Sequence, residues 1–266
     1  MSSARIIVAA GILACSVSGL TMGQVPPGKL GYDDTPMQPD GKWRIHDGTR
    51  PQPTVVTPAV TGPFTPPPDD ATVLIGTGDL SAWRMGNGVA ATWPIKDGVA
   101  QSGKGMIFTK ENFTDFQLHV EFATPAATKG DGQDRGNSGV YLLGRFEIQV
   151  LDSYRNPTYP DGQAAAMYGQ FPPLVNASRP PGAWQVYDIV FTAPRFNGSN
   201  TLEQPAAVTV LHNGVLVQNA RPFWGATAHR AITPYAPVMA TGPIGLQDHS
   251  NPVSFRNIWI RPLRTS

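Results

Sequence analysis

The chain has 266 residues, a formal net charge of +1 and only 15% charged residues. No basic run or stripe appears, which excludes the electrostatic footprint of a nucleic-acid binder. Its 28 glycines and 27 prolines suit a turn-rich all-β chain, and its single cysteine, Cys15, excludes a disulfide framework, a CxxC redox pair and a cysteine zinc site.

Residues 1–23 have the three parts of an export signal. Met1–Arg5 carries one positive charge, Ile6–Leu20 is apolar and small, and Thr21-Met22-Gly23 offers small residues for cleavage before Gln24. The apolar run falls short of the roughly 20 residues of a membrane span, and no later stretch supplies a transmembrane segment. The expected location is extracytoplasmic, periplasmic or secreted. A loose lipoprotein box, Ile12-Leu13-Ala14-Cys15, gives lipid anchoring at Cys15 as the second reading.

Residues 24–70 form a Pro-rich arm or linker. There are 11 prolines between Gln24 and Pro68, and proline removes a backbone donor and fixes φ, which excludes a central strand or a helix. Trp43, Ile45 and Val55-Val56 are the side chains expected to pin the arm to the domain. Pro66–Asp70 marks the boundary, and residues 71–266 form the domain.

From Ala71 the pattern changes to short apolar runs between turn residues. Phe116, Leu118, Val120 and Phe122 alternate with Gln117, His119 and Glu121, the period of a half-buried strand. Phe146, Ile148 and Val150 alternate with Glu147 and Gln149 in the same way. Trp184–Thr192, Ala206–Leu211, Val215–Gln218 and Val253–Ile260 are further strands, and Asn213-Gly214 is a hairpin turn between two of them. A short helix is expected at Gly162–Tyr168. This spacing of strands predicts a β-sandwich or barrel.

In a strand, residues i and i+2 share a face. His119 and Glu121 therefore stand together opposite the phenylalanines, and Glu147 and Gln149 do so on their own strand, with Asp152 beyond its end. Two strands offering carboxylates in this manner predict one concave face lined by both. The polar loop Asp131–Gly139 lets a ligand approach its backbone, and its Asp and Asn oxygens suit a divalent cation such as Ca, although the spacing is not that of an EF-hand. Gln247-Asp248-His249 precedes the last strand, which carries Arg256 and Asn257. Tyr141, Tyr168, Trp184 and Tyr187 are candidates for stacking on sugar rings or for the core. There is no G-x-S-x-G elbow, H-E-x-x-H, Walker loop or dinucleotide fingerprint.

Six segments in order, RGNSGVYL (Arg135–Leu142), FEIQVLDS (Phe146–Ser153), AAMYGQFPPLVN (Ala165–Asn176), PGAWQVYDIVFTAPRF (Pro181–Phe196), VLHNGVLVQN (Val210–Asn219) and GPIGLQDHSNPVSFRNIWIRPL (Gly242–Leu263), together resemble the 3-keto-disaccharide hydrolase family over roughly residues 71–263. One departure is Phe146, where the family often has Tyr. The resemblance implies a concanavalin-like jelly roll of two curved antiparallel sheets. It also implies cleavage of glycosides oxidised at sugar carbon 3.

A ketone at carbon 3 acidifies the proton on carbon 2, so a base, an enolate stabiliser and an acid for the leaving group are needed. The catalytic candidates are Glu147 as base or acid, Glu121 as second carboxylate, and His249 with Asp248 to shuttle or orient the proton. The candidates for binding the carbohydrate are Arg135, Asn137, Gln149, Asp152, Tyr168, Asn176 and Arg256; Arg256 or a divalent cation would hold the enolate oxygen. The alternatives are ordinary two-carboxylate hydrolysis by Glu121 and Glu147, a non-catalytic carbohydrate-binding module of the same fold, and a surface-assembly protein tethered by the arm.

Overall fold

A computed structural model describes residues 30–59, 65–76 and 78–263. The export signal and Cys15 lie outside the described residues, as does the stretch 60–64 of the arm. Among the described residues no helix is long and apolar enough to cross a membrane.

Two antiparallel sheets form the body, as a β-sandwich requires. The larger has eight strands. Across it run Val215–Pro222, Ala207–His212, Gln185–Thr192, Phe116–Ala123, Ser254–Pro262, Val99–Gln101 and Ile95–Lys96, and Thr72–Ile75 also pairs with Ser254–Pro262. The five-stranded sheet runs Trp83–Met85, Ile107–Thr109, Gly245–Leu246, Ser138–Leu142 and Phe146–Val150.

The alternation read from the sequence decides which way each strand faces. Phe116, Leu118, Val120 and Phe122 are fully buried, as are Tyr187, Ile189 and Phe191 beside them. From the other sheet Phe146, Ile148 and Val150 are equally buried. The layers meet where Phe146 packs on Phe191 at 5.8 Å between ring centroids, and Phe191 in turn stacks on Phe116 at 5.2 Å. A buried phenol needs a partner, and Tyr187 finds one across the layers, donating to the Gln149 carbonyl at 2.7 Å.

The Asn213-Gly214 turn has positive φ at both residues, 53° and 80°, the geometry that a two-residue hairpin of right-twisted strands requires. The helix expected at Gly162–Tyr168 does not form. Only a 3-10 turn, Pro160–Gly162, is present, and Ala165 takes a φ of 65°, which breaks any right-handed helical run. This segment instead lies along the edge strand Phe146–Val150. Ala165 N donates to Gln149 O at 2.9 Å, Gln149 N to Ala166 O at 3.0 Å and Tyr168 N to Glu147 O at 3.3 Å.

The Pro-rich arm is packed, but not by all the residues expected to pin it. Ile45 is buried and Trp43 half-buried, whereas Val55 is exposed and joins only a two-residue parallel pairing with Val175–Asn176. Polar side chains do the rest. Gln38 Nε2 donates to the carbonyls of Gly169 (3.0 Å) and Gln170 (2.9 Å), and Gln52 donates to Thr158 O at 2.8 Å.

Replacing Tyr187 with Phe keeps the ring and removes one of two donors to the Gln149 carbonyl, which keeps the Ala165 N–H. The expected loss is about 0.5–1.5 kcal/mol of unfolding free energy, the net worth of one hydrogen bond, measured by urea denaturation with an unchanged m-value.

Candidate active site

Because Phe146, Ile148 and Val150 fill the core, Glu147 and Gln149 project from the outer face of the smaller sheet. There they line a cavity of about 200 Å³ with Asn137, Tyr141, Tyr168, Thr227, Ala228, His229, Gln247 and His249. Ser138–Leu142 supplies the neighbouring wall, with Tyr141 in register with Glu147 and Gly139 with Gln149. Gly139 is required by contact: a Cβ there would stand 2.4 Å from Glu147 Oε1, so only glycine leaves the carboxylate its place. The edge-covering segment brings in Tyr168. Thr227, on the strand Ala226–Ala228, accepts the Glu147 backbone N–H at 3.0 Å.

Glu147 is 2% exposed. Its Oε2 accepts the Tyr141 hydroxyl at 2.8 Å, and Gln247 Nε2 donates to that hydroxyl oxygen at 3.2 Å. The Gln149 amide best satisfies its surroundings with its nitrogen turned toward Glu147 Oε1, 3.0 Å away. Burial penalises the charged carboxylate more than the Tyr141 hydrogen bond supports it, and its pKa is pushed up to about 8. Burial, and then the neighbouring Glu147, push the Tyr141 phenol up as well, so Tyr141 stays a neutral donor. On the far wall the Tyr168 hydroxyl lies 3.0 Å from that of Tyr159 and 3.4 Å from His229 Nδ1.

The cavity thus gathers Glu147, Gln149, Asn137, Tyr168 and His249 of the residues expected from sequence. Glu121 is elsewhere, and the shared acidic hollow is not formed. Phe122 and Val120 face the core of the larger sheet, so Glu121 points out of the opposite side of the sandwich from Glu147. It sits there in an ionic cluster. Arg256 Nε donates at 2.6 Å and Asn257 Nδ2 at 2.8 Å, and His119 Nε2 lies 3.6 Å away. A β-bulge between Arg256 and Trp259 brings these two consecutive residues to one carboxylate, which a regular strand cannot do. Arg256 also lies over the Trp184 ring at 3.9 Å. Burial opposes charge on both acid and imidazole, but the hydrogen bonds prevail. Glu121 falls to about 2, and His119, bonded to Asp188 and Glu121, rises to about 9. This is a structural ion cluster on the far face.

Four other expected residues also separate from the cavity. Asp248 does not join His249 there, because its carboxylate accepts the backbone N–H of Gly105 and of Ser250, each at 2.8 Å. Asn176 holds the loop, donating to Ser153 O at 2.9 Å. Arg135 and Asp152, 2.9 Å apart, border a second hollow of about 310 Å³ with Lys129 and Asn251. Of the aromatic candidates, Tyr187 belongs to the core, Trp184 carries Arg256, and Tyr141 and Tyr168 reach the cavity. Among the described residues no group of three or more His, Cys, Asp or Glu is placed to hold a metal ion.

Sequence reasoning did not assign His229, Thr227, Ala228 or Gln247 to the site. Tyr141 was legible by parity, since it alternates with the buried Val140 and Leu142. His229 sits at a hairpin turn with no periodic signal.

Known proteins share this frame. The family described as 3-keto-alpha-glucoside-1,2-lyase-like domain matches residues 70–261, and the chain belongs to that family. A structure from Parabacteroides distasonis ATCC 8503, provisionally assigned as a glycosyl hydrolase, is 46% identical, covers 80% of this chain and 93% of its own, and superposes with a TM-score of 0.73. Two further structures from that organism, with the same provisional assignment, share the fold at 19% and 22% identity. They cover 74% and 73% of this chain and 95% and 100% of their own, with TM-scores of 0.52 and 0.51. No curated protein matches the chain.

The raised Glu147 carboxyl has a consequence for stability. A group whose folded pKa of about 8 exceeds its ordinary 4.5 favours the fold below pH 4.5, and that contribution is lost as pH rises through 8. Glu147→Gln removes the buried charge. It is expected to melt at least about 5 °C above the native protein beyond pH 8, with the advantage vanishing toward pH 4.5, as followed by calorimetry across pH.

Proposed function

We propose that the protein cleaves 3-keto-glycosides by elimination across carbons 1 and 2 followed by hydration, with Glu147 as the base. One observation carries this reading: a single buried carboxyl of raised pKa faces a polar cavity of about 200 Å³, room for one sugar ring. A carboxylate whose conjugate acid lies near 8 is a stronger base than an ordinary one, and carbon acids next to a ketone require this. The family described as 1,2-lyase-like supports the same bond choice.

In the reaction Glu147 takes the proton from carbon 2. The electron pair forms the carbon 1–carbon 2 double bond, and the bond from carbon 1 to the leaving oxygen breaks. The leaving alkoxide takes the proton of the Tyr168 hydroxyl, which burial keeps protonated where Glu147 is ionised. Water then adds its hydroxyl to carbon 1 and gives its proton back to Tyr168, while Glu147 returns its proton to carbon 2, releasing a 3-keto sugar. Tyr141, Asn137 and the Gln149 and Gln247 amides supply donors for the ring hydroxyls and the enolate oxygen. Two-carboxylate hydrolysis needs a second acid about 5–9.5 Å from the first, and among the described residues Glu147 is the only carboxylate lining the cavity. The signal-like residues 1–23 support work outside the cytoplasm.

Incubation with a 3-keto-glucoside tests the reading. Glu147→Gln should lower turnover on the order of 10²- to 10⁴-fold while sugar binding persists, and Gly139→Ala should lower it by displacing the carboxylate. In the native protein kcat/KM should rise with pH to a plateau above about 8, because the base must be ionised. A fall above pH 8 instead makes Glu147 the acid. Binding of the sugar without turnover by the native protein leaves a carbohydrate-binding module, a role that the cavity's three amides and two tyrosines would also serve.

A further inference from the structure

The matched family domain begins at residue 70, yet the far wall of the cavity rests on a residue of the arm. His46 is fully buried and takes a left-handed φ of 59°, a conformation unfavourable for a non-glycine residue. Asp161, itself fully buried, holds it there. The His46 backbone N–H donates to Asp161 Oδ2 at 2.9 Å, and Nδ1 lies 3.2 Å from Oδ1. Gln38 Nε2 adds a third contact to the same carboxylate at 3.2 Å.

With Nδ1 carrying its hydrogen toward Asp161, the ring is fixed in one tautomer and orientation. Its Nε2 is buried without a hydrogen-bond partner. Around the ring stand Tyr159 at 4.2 Å, Tyr168 at 4.6 Å, His229 at 5.9 Å and Tyr32 at 6.0 Å between centroids. Gly169, next to Tyr168, has a φ of 73°, and a Cβ there would already touch His46 Cε1 at 3.4 Å. A phenylalanine would fill this aromatic box without leaving a buried nitrogen unpaired. Packing alone therefore does not account for histidine.

We infer that His46 is a positioning residue of the site: clamped by Asp161, it sets Tyr168 and His229 across the cavity from Glu147, so that a residue of the arm completes that wall of the cavity. The inference rests on the reading of the cavity as the substrate site. His46 does not line the cavity; it acts through two residues that do.

The test compares the full chain with His46→Phe, which keeps a ring and loses the donor to Asp161, and His46→Asn, which keeps a donor and loses the ring. Tyr168→Phe and the double variant His46→Phe/Tyr168→Phe complete a cycle. Each His46 variant should lose on the order of 10- to 100-fold in kcat/KM on a 3-keto-glucoside, the penalty of a misplaced contact group, while the protein is still folded at the assay temperature. The double variant should lose no more than the worse single variant, because His46 acts through Tyr168. Losses that multiply, or full activity in both His46 variants, overturn the inference. If His46→Phe fails to fold, the comparison is carried by His46→Asn. Should the native protein turn over no 3-keto-glucoside, the proposed function fails by itself. The inference is then decided by labelled-ring NMR: displaced Tyr168 and His229 resonances in His46→Asn uphold it, and unmoved resonances overturn it.

Discussion

The contact of Phe146 with Phe191 holds the two sheets face to face, and the direction of Glu147 follows from it. A strand side chain has only two directions to choose from. Once Phe146, Ile148 and Val150 are committed to the core, the carboxylate between them is driven outward. What lies outside is not bulk water, because the segment 163–169 and the strand Ala226–Ala228 close over it. The acid is thus expelled from one low-dielectric region into another built from tyrosines and amides. Its raised pKa comes from that second enclosure.

The same alternation sets the fate of Glu121. It is equally enclosed, yet its pKa moves the opposite way, because Arg256, Asn257 and His119 surround it. Two carboxylates of similar burial therefore have opposite chemistry. One is committed to charge and to holding the larger sheet, and the other is poised between its forms in a cavity with room for a ligand. Burial alone does not make a reactive acid; burial without a cationic partner does.

The strands were legible because their period of two is a direct imprint of burial. Phe116–Phe122 and Phe146–Val150 were placed within a residue, and the Asn213-Gly214 turn followed from its need for positive φ. Glu147 and Gln149 of the candidate site were legible for the same reason, since they share parity. The pairing of Glu121 with Glu147 was not, because alternation says which residues share a face of one strand and is silent about which sheet that strand joins. Both strands put phenylalanines inward, so two strands in opposite layers look alike. The loop residues were harder still. Asp248 and His249 are neighbours whose side chains diverge only because backbone N–H groups of Gly105 and Ser250 claim the carboxylate. His46 had no periodic context and met its partners 115 residues along the chain.

The irregular segment that wraps the outermost strand of the smaller sheet has an effect beyond shaping the cavity. That strand, FEIQV, is rich in β-forming residues, and bare it would present open hydrogen-bonding groups to any passing chain. With Ala165, Ala166 and Tyr168 occupying those groups, the sheet has no vacancy on that side for a foreign strand. A lesion that loosens the wrap would expose a sticky border during biosynthesis, and the protein would suffer as insoluble material before any defect in chemistry became measurable.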